Sequence, residues 1–200
     1  MDKRHEDEFK RIAESFLKKG RDGDWAHTLR AIEYGRYLLA TEKGEEDIVI
    51  PALYLHDIGW SAIDYSDFVS ASPALKKETK SLALHMHHSA VLARKILREM
   101  RYDTEKAGTI VSIIAVHDDP QKIFDMENLS ATLVVEADRM DRYGPESILR
   151  YKRMFGQEYL TGENWQEAKK MRLEGLDEWF RTDTARKLSR KLATTIGLFE

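Results

Sequence analysis

Apolar positions recur along this chain at helical spacing. Phe9, Ile12, Ala13, Phe16 and Leu17 fall three and four residues apart and are followed by Gly20, which predicts an amphipathic helix that stops there. RDGD is then a turn, and Ala26, Leu29, Ile32 and Leu39 predict a second helix from about Trp25 to Leu39, closed by TEKGEED. Asp47 is the expected N-cap of a third, with Pro51 still close to the first turn, where a missing N–H does little harm. Its apolar run, Leu53 to Leu55, is short enough to compete as a strand. Helical neighbours on both sides favour a helix that delivers His56 and Asp57 at its carboxyl end, ahead of Gly59.

From Ser61 to Pro73 the pattern is irregular, and a loop or lid is expected. A fourth helix, from about Lys77 to Met100, carries Leu82, Leu84, His85, His88, Leu92, Ile96 and Leu97. Thr104 is the expected cap of a fifth, EKAGTIVSIIAVH, which ends at His117 and is broken by Pro120. A sixth, LSATLVVEADRMDRYG, brings in Asp138 on an apolar background, and beyond Pro145 two or three further segments draw apolar faces from Trp165, Leu173, Leu176, Trp179 and Phe180. With no alternating strand pattern and no internal repeat, the expected class is all-α, a single-domain helical bundle over residues 1–200.

Composition narrows the partners. A net charge of −3 with 34% charged residues of both signs leaves no basic field of the kind nucleic-acid binding needs. No uncharged run approaches the ~20 residues of a membrane span, and MDKRHEDEFK has no apolar leader core, so no membrane partner and a cytoplasmic location are expected. The chain has no cysteine, so any metal must be held by His, Asp and Glu.

Six such residues stand on or beside apolar helical segments: His27, His56, Asp57, His85, His117 and Asp138. Burying the adjacent imidazole and carboxylate of His56 and Asp57 costs several kcal/mol unless each finds a partner. A shared divalent cation is one such partner, because neutral imidazoles and carboxylates are its ligands. Taken singly, each of the seven histidines reads more readily as a surface or hydrogen-bonded core residue, and His5, in a charged leader, belongs to that class. His87 points away from the apolar face. Asp138 alone reads as a partner of Arg139 or Arg142, and Asp118 or Asp119 as a cap for the turn before Pro120.

Taken in order, His27 in DWAHTLR, His56-Asp57 in LHDIG and Asp138 in EADRMDRYG resemble the H…HD…D pattern of the HD-domain superfamily, helical metal-dependent phosphohydrolases. The resemblance spans about residues 22–145 and leaves the helices of about 146–200 outside it. HMHHSA and IIAVHDDP place His85 and His117 where two-metal members carry extra ligands. The resemblance implies two divalent ions (Mn, Fe, Co, Ni or Mg) bridged by Asp57, with His27, His56 and Asp138 on one and His85 and His117 on the other. His88 shares the face of His85 and is an alternative ligand, or a proton donor to the leaving group. The implied reaction is hydrolysis of a small phosphate ester, a nucleotide or sugar phosphate, by metal-activated water. Arg30 and Arg142, one turn after His27 and Asp138, are candidates for the cation that holds phosphate oxygens, or equally surface charges. Two alternatives share the ligand set: a di-iron oxygenase and a non-catalytic metal-binding module. A homo-oligomer is left open.

Overall fold

From Ile48 to Leu55 every side chain is buried, and that decides where the centre of the molecule lies. A helix that is apolar all round must be covered on all sides. In the computed structural model, which describes residues 1–157 and 162–199, this helix, α3 (Glu46–Leu55), packs against α1 (Lys3–Leu17), α2 (Asp24–Leu39), α6 (Thr104–Ile114) and α8 (Leu129–Met140). The short apolar run is therefore a core helix, not a strand. Each fully buried Leu, such as Leu53 or Leu55, contributes roughly 1.5–3 kcal/mol.

The remaining elements are α4 (Ser66–Ser70), α5 (Lys80–Glu99), α7 (Pro120–Phe124), α9 (Pro145–Phe155), α10 (Glu163–Glu178) and α11 (Asp183–Thr195), with 3₁₀ turns at Ile58–Ala62 and Pro73–Glu78. All regular elements among the described residues are helical, as the periodicity predicts. None of these helices is long and apolar enough to cross a membrane.

Several boundaries differ from expectation. Glu45, not Asp47, is the N-cap of α3; Asp47 lies in the first turn and pairs with Lys106 Nζ at 2.9 Å. Asp103, not Thr104, caps α6, accepting from the Lys106 amide at 2.9 Å, and the helix ends at Ile114, so His117 stands in the turn beyond it. The segment expected as loop or lid is largely helical: its 3₁₀ turns and α4 wrap one end of α5. The capping bond of α6 comes from Asp103 itself, and Glu45 makes no side-chain cap bond.

The carboxyl-terminal helices are fastened by polar groups. Buried Glu136 of α8 accepts from the amide and hydroxyl of Thr182 (2.8 and 2.7 Å) and from the Arg181 amide (2.5 Å). The Tyr143 hydroxyl donates to the Arg172 carbonyl at 2.8 Å.

Candidate metal centre

Helix ends build the site. His27 lies in the first turn of α2, His56 is the C-cap of α3, Asp57 turns out of that helix, His117 follows the end of α6, and Asp138 sits in the last turn of α8. His85 comes from the second turn of α5. All six are buried, and the structure brings them together around the two oxygens of Asp57.

On one side, His27 Nε2 is 3.0 Å from Asp138 Oδ1, His56 Nε2 is 3.5 Å from both Asp138 Oδ1 and Asp57 Oδ2, and the two ring nitrogens are 3.3 Å apart. On the other, His85 Nε2 and His117 Nε2 lie 3.2 Å apart and 3.4 and 3.5 Å from Asp57 Oδ1. Among the described residues three groups can hold an ion: His27, His56 and Asp138; His56, Asp57 and His117; and His85, His117 and Asp118.

The outer ring nitrogens explain why these inner atoms crowd. His56 Nδ1 donates to the Leu53 carbonyl and His117 Nδ1 to the Ile114 carbonyl, both at 2.8 Å. Carbonyls only accept, so each neutral ring presents an Nε2 lone pair to the centre. His27 Nδ1 is held in the same sense by Asp141 at 2.7 Å. Lone pairs and carboxylate oxygens then face one another at 3.0–3.5 Å, an arrangement that only protons or cations relieve. The donor set, with the outer nitrogens of His27, His56 and His117 anchored and His85 Nδ1 without a hydrogen-bond partner among the described residues, fits divalent cations.

Without a cation, protons fill the role. Burial would lower the His56 pKa, but Asp57 and Asp138 push it up to about 9. Burial would raise the carboxyls of Asp57 and Asp138; neighbouring imidazoles, and for Asp57 the Arg21 guanidinium, hold both well below the usual range. Burial lowers His85, whose ring stacks on Trp60 at 4.1 Å.

A layer of ion pairs that sequence reasoning missed supports these residues. Arg21 donates to Asp57 Oδ2 at 2.9 Å and to Asp24, lying 3.8 Å above the Trp60 ring. Arg150 donates to Asp24 at 2.8 Å. Asp141, three residues past Asp138, receives Arg30 at 2.5 and 3.1 Å while holding His27. Asp118, read as a turn cap, instead faces the second histidine pair; Asp119 does the capping, accepting from the Lys122 amide. For Asp118 the signal was its place beside His117; for Arg21 and Asp24 no local signal existed.

The other candidates stand farther out. His88 belongs to none of the three groups; half-buried on α5, its ring is 5.7 Å from that of exposed His87. Both bonds of Arg30 go to Asp141. Arg142 is 3.6 Å from Asp118 and rests over Trp179. Arg139 pairs with Asp118 at 2.9 Å rather than with Asp138.

A family model described as HD domain matches residues 24–143, which contain every residue of the three groups. Among solved structures, the chain is similar to a predicted HD superfamily hydrolase from an uncultured Thermotogales bacterium, at 22% identity and a TM-score of 0.62 over 96% of this chain and 87% of that one. It is also similar to Bacillus subtilis YpgQ, solved in complex with ADP, at 20% identity and a TM-score of 0.65 over 97% and 93%. At these identities both likenesses speak to the fold. No curated protein matches the chain.

Proposed function

The chain belongs to the HD-domain family, a superfamily of metal-dependent hydrolases, and from that premise we propose that it hydrolyses a small phosphate ester, a nucleotide or sugar phosphate, with two divalent ions. The observation that carries this reading is Asp57, whose two oxygens face two separate histidine pairs. His27, His56, Asp138 and Asp57 Oδ2 would hold one ion, and His85, His117 and Asp57 Oδ1 the other. When bound, such cations lower the pKa of water from ~15.7 towards 7 and neutralise charge on phosphoryl oxygens.

The chain's own residues do the rest. Asp141 and the carbonyls of Leu53 and Ile114 fix three rings with their Nε2 atoms inward. Arg30 acts on His27 through Asp141 and is a positioning residue. Arg142, a third exposed beside Asp118, is suited to grip phosphate oxygens. Behind it, buried Arg172 gives its Nε to the Arg142 carbonyl at 3.1 Å and lies over the Tyr151 and Trp165 rings, and its terminal nitrogens have no hydrogen-bond partner among the described residues. Arg172, Arg142, Arg150 and Arg139 together overcome burial and hold the Tyr151 hydroxyl below its usual pKa, a concentration of positive charge that favours an anionic substrate. His88 is the proposed proton donor to the leaving group. The ADP held by the Bacillus subtilis protein supports a small phosphorylated ligand.

The test is metal-stripped protein reloaded with Mn or Co and offered a panel of phosphate esters. Turnover of at least one ester is expected, lost in Asp57→Asn with the helical circular dichroism unchanged. Oxygen consumption by iron-loaded protein with no ester hydrolysed under any metal would replace this reading with the oxygenase. Metal binding with neither reaction would leave a binding module.

A further inference from the structure

Asp118 sits between two sets of partners, and its two oxygens divide between them. Oδ1 takes Arg139 Nη2 at 2.9 Å, with Arg142 Nη2 at 3.6 Å. Oδ2 faces His85 Nε2 at 3.4 Å and His117 Nε2 at 3.9 Å. Arg139 Nη2 also donates to the Asp118 backbone carbonyl at 2.6 Å, so one guanidinium grips this residue twice and fixes the rotation that turns Oδ2 inward.

We propose that Asp118 is the terminal carboxylate ligand of the second ion, which gives both halves of the centre the same donor set. This rests on the two-ion reading above. Each ion then has two imidazoles, one oxygen of Asp57 and one terminal carboxylate: Asp138 for the first, Asp118 for the second. Asp118 Oδ2 and the Nε2 lone pair of His117 are both acceptors aimed at one place beside His85 Nε2, whose outer nitrogen has no hydrogen-bond partner among the described residues to fix its tautomer. A cation there engages all three atoms.

Asp118 Oδ2 brings a second carboxylate oxygen to the side of the centre that otherwise has only Asp57 Oδ1, and a buried dication needs such donors to offset its lost hydration. Arg139 follows Asp138 directly in α8. One helical turn therefore supplies a ligand to the first ion and the clamp that orients a ligand of the second, the outer support that metal sites depend on. The two ions are consequently bound with similar strength.

Calorimetric titration of the metal-stripped full chain with Mn²⁺ tests this, with manganese spin resonance to count bound ions. The wild-type chain is expected to take two ions with dissociation constants within about tenfold of each other. Asp118→Asn is expected to keep one at wild-type strength and to weaken the other by about tenfold or more. Asp119→Asn, which alters the adjacent carboxylate that caps α7, is expected to bind both normally. If Asp118→Asn takes two ions as the wild type does, the proposal falls and the two-ion reading stands. If the wild-type chain takes only one ion, both fall together. Should Asp118→Asn fail to fold, anomalous scattering from a Mn²⁺ crystal of the wild-type chain decides: a peak bonded to Asp118 Oδ2 upholds the assignment, and a peak at His85 and His117 with Asp118 turned away to Arg139 overturns it.

Discussion

His56 shows how much one buried side chain is asked to do. Its outer nitrogen is committed to the Leu53 carbonyl, so its inner nitrogen must take either a proton or a cation. In metal-free protein it takes the proton, with a folded-state pKa of about 9 against 6.5 unfolded. A raised pKa means that the stabilisation is fully present below about pH 6.5 and is lost as pH rises through about 9. The metal-stripped chain is therefore expected to lose thermal stability between those values, while the Mn-loaded chain, whose His56 has already given up its proton, changes far less. Scanning calorimetry of both forms at several pH values checks this; a stripped chain that grows more stable across the window would contradict it.

At the scale of elements, the centre depends on how closely the turn after α3 approaches α5. A Cβ on Gly59 would lie 2.2 Å from the His85 carbonyl and 2.6 Å from the Ser89 amide, both backbone atoms that cannot step aside. The Gly59 amide also donates to the Ser89 hydroxyl at 2.8 Å. Gly59→Ala must push α5 away and carry His85 with it. The expected cost is about 1–3 kcal/mol from overpacking, together with weaker metal binding, read by denaturant unfolding and by Mn²⁺ titration. Wild-type values in both would show that the contact is slack. In the sequence this glycine looked like a simple helix stop, because its demand for space comes from a helix more than twenty residues away.

Across the whole molecule, the centre joins α2, α3, α5, the turn after α6 and α8, the elements that also form the core. A ligand that binds only the folded chain stabilises it by about 2.7 kcal/mol at a hundred times its dissociation constant. For a chain of this size each kcal/mol moves the melting temperature by about 2–4 °C. Chelation is thus expected to lower the melting temperature by about 5–10 °C for each ion removed, and Asp57→Ala to abolish the difference between chelated and loaded samples. Dye-monitored melts with and without chelator measure it; no shift in the wild-type chain would mean that the centre does not tie these helices together.

What was legible in the sequence was local or ordered along the chain. Helical periodicity is written in residues three and four apart, so the all-α class followed from apolar spacing along the chain with no alternating strand pattern, and the H…HD…D order led to the family to which the chain belongs. The same locality made caps slip by a residue or two, as at Asp47 and Thr104, where Glu45 and Asp103 hold the position instead. Only the tertiary structure decided the partners of the charged groups. Asp118 and Asp119 are neighbours of the same chemistry, yet one caps a short helix and the other faces two imidazoles, because the turn after α6 points one of them at α5 and α8. Arg21 and Asp141 likewise serve the centre across 36 and 114 residues. A charged side chain spends its energy on whatever lies within a few ångströms, and which groups lie there is determined by how the helices pack.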